Sequence, residues 1–117
     1  MEIIVTSHAA DRLHTRSGLN KKSMQRIAER AYNQGISEDE TKGLLQKYIS
    51  DMSIYDGKKI VKVYGDKAFI FAPNIKTVFD EYGVRSEIEQ MILVTVILLP
   101  QKLHKKAVKT MKRKKEK

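Results

Sequence analysis

The chain reads as an α+β protein: N-terminal helices packed on one face of a small antiparallel β-sheet, followed by a basic C-terminal helix or tail. Three observations lead there. Apolar residues recur at three-and-four spacing through the first half, while β-branched and aromatic runs divided by turn residues fill the second. The excess charge is gathered in residues 101–117. With 117 residues the chain suffices for one modest core, so residues 1–100 are expected to form one domain and residues 101–117 a tail.

Glu2 to Val5 is a short β-branched run and predicts a strand. Thr6 and Ser7 then supply hydroxyls where a helix N-cap is wanted, and Asp11 is expected in the first turn of a helix over residues 8–16. Gly18 suits the left-handed position that closes that helix, and Asn20 can cap the next. Met24, Ile27, Ala28, Ala31 and Tyr32 trace the apolar stripe of a second helix ending at Gly35. Ser37 followed three residues later by Glu40 is a capping-box pattern, which predicts a third helix running to about Met52 with Leu44, Leu45, Tyr48 and Ile49 on its apolar side.

After Asp56 and Gly57 the period changes. Ile60, Val61, Val63 and Tyr64, then Gly65-Asp66, then Ala68, Phe69, Ile70 and Phe71 before Pro73, are two strands around a two-residue turn. Residues 92–99 are apolar at every position but Thr95, as in a central strand covered on both faces, and Pro100 stops it. Between Pro73 and Met91 the spacing is weak. Residues 74–91 are expected to be an insertion between strands, either one or two short helices or an extended hairpin.

Composition removes several classes of function. Cysteine is absent, which excludes disulfides, cysteine-containing zinc sites and thiol nucleophiles. The first residues are too short an apolar run for an export signal, and residues 92–99 fall far below the roughly 20 needed to cross a bilayer. A cytoplasmic location is expected. Of the net charge of +9, residues 101–117 hold +8 and the other 100 residues only +1. The body is nearly neutral.

The candidate chemistry lies on the first helix. Residues four apart advance about 40° around a helix, so His8, Arg12 and Arg16 form one cationic stripe while Ala9 and Leu13 share a face that can bury. Metal-free RNA cleavage needs a base for the 2′-hydroxyl, an acid for the leaving oxygen and fixed cations for charge developing at phosphorus. Imidazole and guanidinium suit those tasks. The same residues also occur on helices that merely face water.

The segment Ser7-His8-Ala9-Ala10-Asp11-Arg12-Leu13-His14-Thr15-Arg16-Ser17-Gly18-Leu19, with Thr41-Lys42-Gly43 and Tyr64-Gly65-Asp66-Lys67 further on, resembles small proteins of phages and integrative elements of Firmicutes. It also resembles, more distantly, the barnase-EndoU-colicin-RelE superfamily of small ribonucleases and toxins (the RelE/ParE-like toxins), in branches opening with His-x-x-x-Arg on the first helix. The likeness covers residues 1–72 and 92–104. It implies a toxin-like, metal-independent endoribonuclease with His8 as catalytic base or acid and Arg12 and Arg16 on the scissile phosphate. Lys42, Lys47, Tyr64 or Lys67 would complete the site, and an antitoxin or immunity protein would be a partner. RelE itself places its working Arg, Lys and Tyr mainly on the sheet, so a helix-borne site departs from that member.

The tail reads as a phosphate-backbone clamp built from Lys102, Lys105, Lys106, Lys109, Lys112 and Arg113, on a helix whose Leu103, Ala107 and Met111 are four apart and which frays after about Met111. A disordered end that only solubilises the chain is the main alternative, and a membrane anchor fits less well, because that apolar face lacks Trp and Phe. Lys42, Lys47 and Lys67 are further candidates for nucleic-acid contact. Three histidines, His8, His14 and His104, without ligand spacing predict no metal, and no cofactor fingerprint is present. The alternative to a ribonuclease is a non-catalytic phage or mobile-element protein that binds nucleic acid or blocks a host defence complex.

Overall fold

A computed structural model of the chain describes residues 2–54 and 59–116, and of Arg16, Ser17, Lys115 and Glu116 the backbone alone. The elements run β1 (Glu2–Val5), α1 (Ser7–Ser17), α2 (Lys21–Gln34), a 3-10 turn (Glu38–Glu40), α3 (Gly43–Ile54), β2 (Ile60–Tyr64), β3 (Lys67–Phe79), β4 (Arg85–Leu98) and α4 (Gln101–Glu116). Asp56 and Gly57, where the sequence pattern changes, lie outside the described residues. The chain is α+β, as the period change predicts. Among the described residues no helix is long and apolar enough to cross a membrane.

The sheet order is β1-β4-β3-β2. β2, β3 and β4 are antiparallel neighbours, but β1 lies parallel to β4, with Ile3 opposite Met91 and Val5 opposite Leu93. The sheet is therefore mixed rather than wholly antiparallel. Strand direction follows a hairpin only when the partners are adjacent in sequence, and β1 pairs with residues at the far end of the chain.

Alternation along the strands builds two cores. Ile3, Phe69, Phe71, Met91, Leu93 and Val96 meet Ala9 and Leu13 of α1 and Met24, Ala28 and Ala31 of α2. Val61, Val63, Ala68 and Ile70 meet Leu45 and Ile49 of α3 and Leu103 and Ala107 of α4. The first two helices do share one face, and α3 and α4 cover the other. Phe69 and Phe71 are essentially inaccessible, and each such burial is worth about 1.5–3 kcal/mol. Tyr32 adds an edge-on ring contact to Phe71, with centroids 5.3 Å apart.

The helix ends follow local chemistry. The Thr6 hydroxyl accepts from the Ala9 N–H, and Asn20 accepts from the Ser23 N–H. Gly18 is left-handed at φ 64° and closes α1. Asp11 falls past the first turn because α1 already starts at Ser7. The Ser37 N–H is met by Glu40 Oε1 at 3.1 Å, but this arrangement closes the 3-10 turn and not α3. Gly43, at φ 63°, breaks the path between them and α3 starts there.

Residues 74–91 take the extended-hairpin alternative and contain no helix. They extend β3 and β4 into a long hairpin whose turn is tied by Asp80, which accepts from the N–H groups of Tyr82 and Val84. Pro73 does not end β3, because β2 pairs only as far as Phe71 and leaves that side of β3 as an edge, where a missing N–H is tolerated. The hairpin gives the molecule extents of 54 × 31 × 30 Å and a radius of gyration of 15.7 Å, against about 13 Å for a compact domain of this length.

At the end of α2, Ile36 exchanges both backbone hydrogen bonds with Val63 of β2, at 2.8 and 2.9 Å. This draws Gly35 so close to β2 that a Cβ there would overlap the Ala31 carbonyl oxygen and stand 2.9 Å from Lys62 Cβ. Gly35→Ala should therefore cost about 1–3 kcal/mol, the usual penalty for overpacking, read as a lower urea midpoint at unchanged m-value.

Candidate functional site

α1 starts where β1 stops, and Thr6 makes the joint. Its hydroxyl, while accepting from Ala9, also points its proton at the carbonyls of Leu93 (2.9 Å) and Val94 (3.2 Å), and its N–H reaches Leu93 O at 3.3 Å. Val94 is the extra residue of a bulge, since Ile70 pairs with Thr95 and Phe71 with Leu93. The first turn of α1 thus continues the line of β1 against β4. This brings His8 Nε2 to 3.0 Å from Thr95 Oγ1.

The stripe on α1 has its expected orientation. Ala9 and Leu13 are buried, while His8 and Arg12 face outward. The Arg16 side chain lies outside the described residues. Tyr64 ends β2 on the opposite edge of the sheet from β1 and is half-buried against the α1/α2 core. The polar contact that the described residues give His8 is thus Thr95, a residue of β4, and not Tyr64.

Thr95 belongs to a groove on the α3 side of the sheet. Ile70, Val94 and Ile97 form the floor with it, and Tyr48, Asp51, Met52 and Lys59 the wall, enclosing about 530 Å³. Burial pushes the Tyr48 hydroxyl above its ordinary value. Sequence reasoning passed over Tyr48, Asp51 and Thr95. A signal for Thr95 existed, since it is the single polar residue in the otherwise apolar run of residues 92–99.

The second concentration of candidate side chains is α4. Its apolar stripe is docked, with Leu103 and Ala107 buried and Met111 packed beside them. The helix does not fray after Met111 but continues to Glu116. Lys114 Nζ holds that end down, donating to Gly35 O at 2.8 Å and Glu40 Oε1 at 3.1 Å, and His104 Nε2 donates to Leu99 O at 2.9 Å. Lys102, Lys105, Lys106, Lys109, Lys112 and Arg113 all face solvent.

Of the lysines on the body, Lys42 joins this set. It lines one groove of about 310 Å³ with Lys106, Lys109 and Arg113, next to Glu40 and Gly43. Lys47 is exposed on α3, outside that groove. Lys67 is engaged locally, 2.8 Å from Asp66 Oδ1, and that contact holds the Asp66 carboxyl below its usual range against the opposing effect of burial. Among the described residues no three His, Asp or Glu side chains come together as a metal-ligand group. No family model, curated protein or solved structure matches the chain.

Glu40 couples α4 to the body and titrates accordingly. Burial raises its carboxyl pKa, but the Ser37 N–H, Lys114 and the Ser37 hydroxyl together outweigh this and leave it below the ordinary glutamate value. A depressed folded pKa gives stability that is complete above the ordinary value and is lost as pH falls through the folded one. Glu40→Gln should therefore be less stable than wild type at neutral pH. The gap in urea midpoint should close as pH is lowered through the carboxylate range; a gap independent of pH would contradict the assignment.

Proposed function

We propose that the protein binds nucleic acid through the phosphate backbone, with α4 and Lys42 as the contact surface. One observation carries this reading: the cations of α4 are presented outward from a helix docked on the domain, and four of the surface's cations line a common groove. Positions 106, 109 and 113 are three and four apart and share a helix face, so their charges act on one stretch of backbone. Such binding is sequence-independent and salt-sensitive, because cations that neutralise phosphates release condensed counterions. RNA is the expected ligand, and the likeness of the Ser7-to-Leu19 segment to the barnase-EndoU-colicin-RelE superfamily belongs to the same proposal, as does an antitoxin, immunity or host-defence partner.

The test is fluorescence anisotropy of a labelled single-stranded RNA across a salt series, comparing wild type with Lys106→Glu/Lys109→Glu/Arg113→Glu. The triple variant should bind at least roughly tenfold more weakly at low salt. Its slope of log affinity against log salt should flatten by about 2, from about 0.7 per lost phosphate contact. Equal affinity and slope would remove α4 from the account.

A specific observation favours cleavage as a second reading. His8 is exposed, its Nε2 meets Thr95 at the rim of the Tyr48, Asp51 and Lys59 groove, and Arg12 lies on the same face of α1. In this reading His8 exchanges a proton with the 2′-hydroxyl or the leaving oxygen, and Arg12 neutralises the phosphorane. Purified protein incubated with cellular RNA in EDTA should then produce fragments, and His8→Ala should reduce the rate about 100-fold or more, the ordinary contribution of a general acid or base. No cleavage by wild type, or cleavage undiminished by His8→Ala and Arg12→Ala, rejects it while leaving the binding surface standing.

A further inference from the structure

The long hairpin carries features that the nucleic-acid surface does not use. Beyond Phe71 on one side and Gln90 on the other, β3 and β4 continue as a two-stranded ribbon, and among the described residues no strand pairs with either outer edge. Ribbons of two strands are marginal by themselves in water. This one also exposes large apolar side chains, with Ile75 at 61% and Phe79 at 67% of full accessibility. It does not suit nucleic acid: residues 74–89 hold four acidic and two basic side chains.

The two edges differ. Along β4 the free stretch contains Arg85, Glu87 and Glu89, and charged side chains are the usual guard of an exposed edge. Along β3, from Asn74 through to Phe79, Lys76 is the single charge. The direction of the free backbone groups on β3 follows from the turn at Gly65 and Asp66. Tyr64 and Lys67 close that two-residue turn as a hydrogen-bonded pair, so alternate residues from Lys67 onward turn N–H and C=O toward the β2 side. Past the end of β2 these are Pro73, Ile75, Thr77 and Phe79, and Pro73 accordingly has no N–H where none is needed. Ile75, Thr77 and Phe79 offer three donors and three acceptors to an incoming strand.

We infer that this β3 edge pairs antiparallel with the same edge of a second copy of the chain, with Thr77 on the two-fold axis. In that register Ile75 stands opposite Phe79 of the second copy and Phe79 opposite its Ile75, so two aromatic and β-branched pairs form on one face. On the other face Lys76 is diagonal to Asp80 of the second copy, an opposite charge within reach of a lysine. Every outward N–H and C=O of Ile75, Thr77 and Phe79 then finds its counterpart. The segment is complementary to itself in charge, in side-chain type and in hydrogen bonding, which is what an isologous contact requires. A register one residue nearer the N-terminus is disfavoured, because it would set Lys76 against Lys76.

The full chain should sediment with a mass approaching twice its 13.5 kDa as concentration is raised. Thr77→Lys, which places two like charges face to face on the axis, should weaken dimerisation about tenfold or more while leaving the thermal unfolding of this solvent-exposed site nearly unchanged. Because the chain has no cysteine, single-thiol variants locate the contact independently. Thr77→Cys should be captured as a covalent dimer by a short bifunctional maleimide, and Ser86→Cys on the opposite strand should not. A monomeric mass throughout the series, a dimer indifferent to Thr77→Lys, or crosslinking through Ser86→Cys in place of Thr77→Cys would each overturn the inference.

Discussion

The seam between Thr6 and the bulge of β4 is the contact on which the site geometry depends. One hydroxyl caps α1 through the Ala9 N–H and faces the carbonyls of Leu93 and Val94, where β1 has run out of residues to pair. A strand four residues long cannot hold the end of an internal strand for its whole length. The first turn of α1 takes over, and the helix axis is set by the sheet instead of by the loop. From that follow the burial of Ala9 and Leu13, the outward position of His8 and Arg12, and the approach of His8 to Thr95. Were Val94 paired in an unbroken register instead of bulged, it would take the place opposite Ile70, and Thr95 would turn to the α1/α2 face.

The basic end of the chain depends on a different balance. A helix carrying so many like charges repels itself, and in isolation little would keep it folded. Its stability comes from burying Leu103 and Ala107 and from tying Lys114 to Gly35 and Glu40. The Lys114 contact is half-exposed and modest by itself. Its effect is positional: it removes one cation from the outward set and commits the remainder to a defined face.

Much of the fold was legible because its determinants are local. The caps at Thr6, Gly18 and Asn20, the stripe of α2 and the turn at Gly65-Asp66 each involve residues a few positions apart, and each occurs as read. What was not legible is decided by distant partners. Nothing near Ile3 says that its neighbour is Met91 or that the two strands run parallel, and nothing near Leu45 says that α3 takes the opposite face from α2. The capping pattern at Ser37 and Glu40 is a correct local reading with the wrong continuation, because Gly43 restarts the helix. In the site, the i to i+4 spacing correctly turned His8 and Arg12 outward. The edge on which Tyr64 falls, and the meeting of His8 with Thr95, come from strand order and a bulge, and neither is encoded by periodicity.

The parallel pairing of β1 with β4 has a temporal side. Glu2 and Gln90 are opposite one another across 88 positions of chain, whereas β2 and β3 are separated by two residues. In the order of synthesis β2 and β3 are neighbours, whereas Ile3, Ile4 and Val5 wait for a strand that has yet to be synthesised. Their wait ends only when the bulged strand arrives, because contacts so remote in sequence carry the largest loop-closure cost. The first strand to be made is therefore the one whose partner is made last among the strands described.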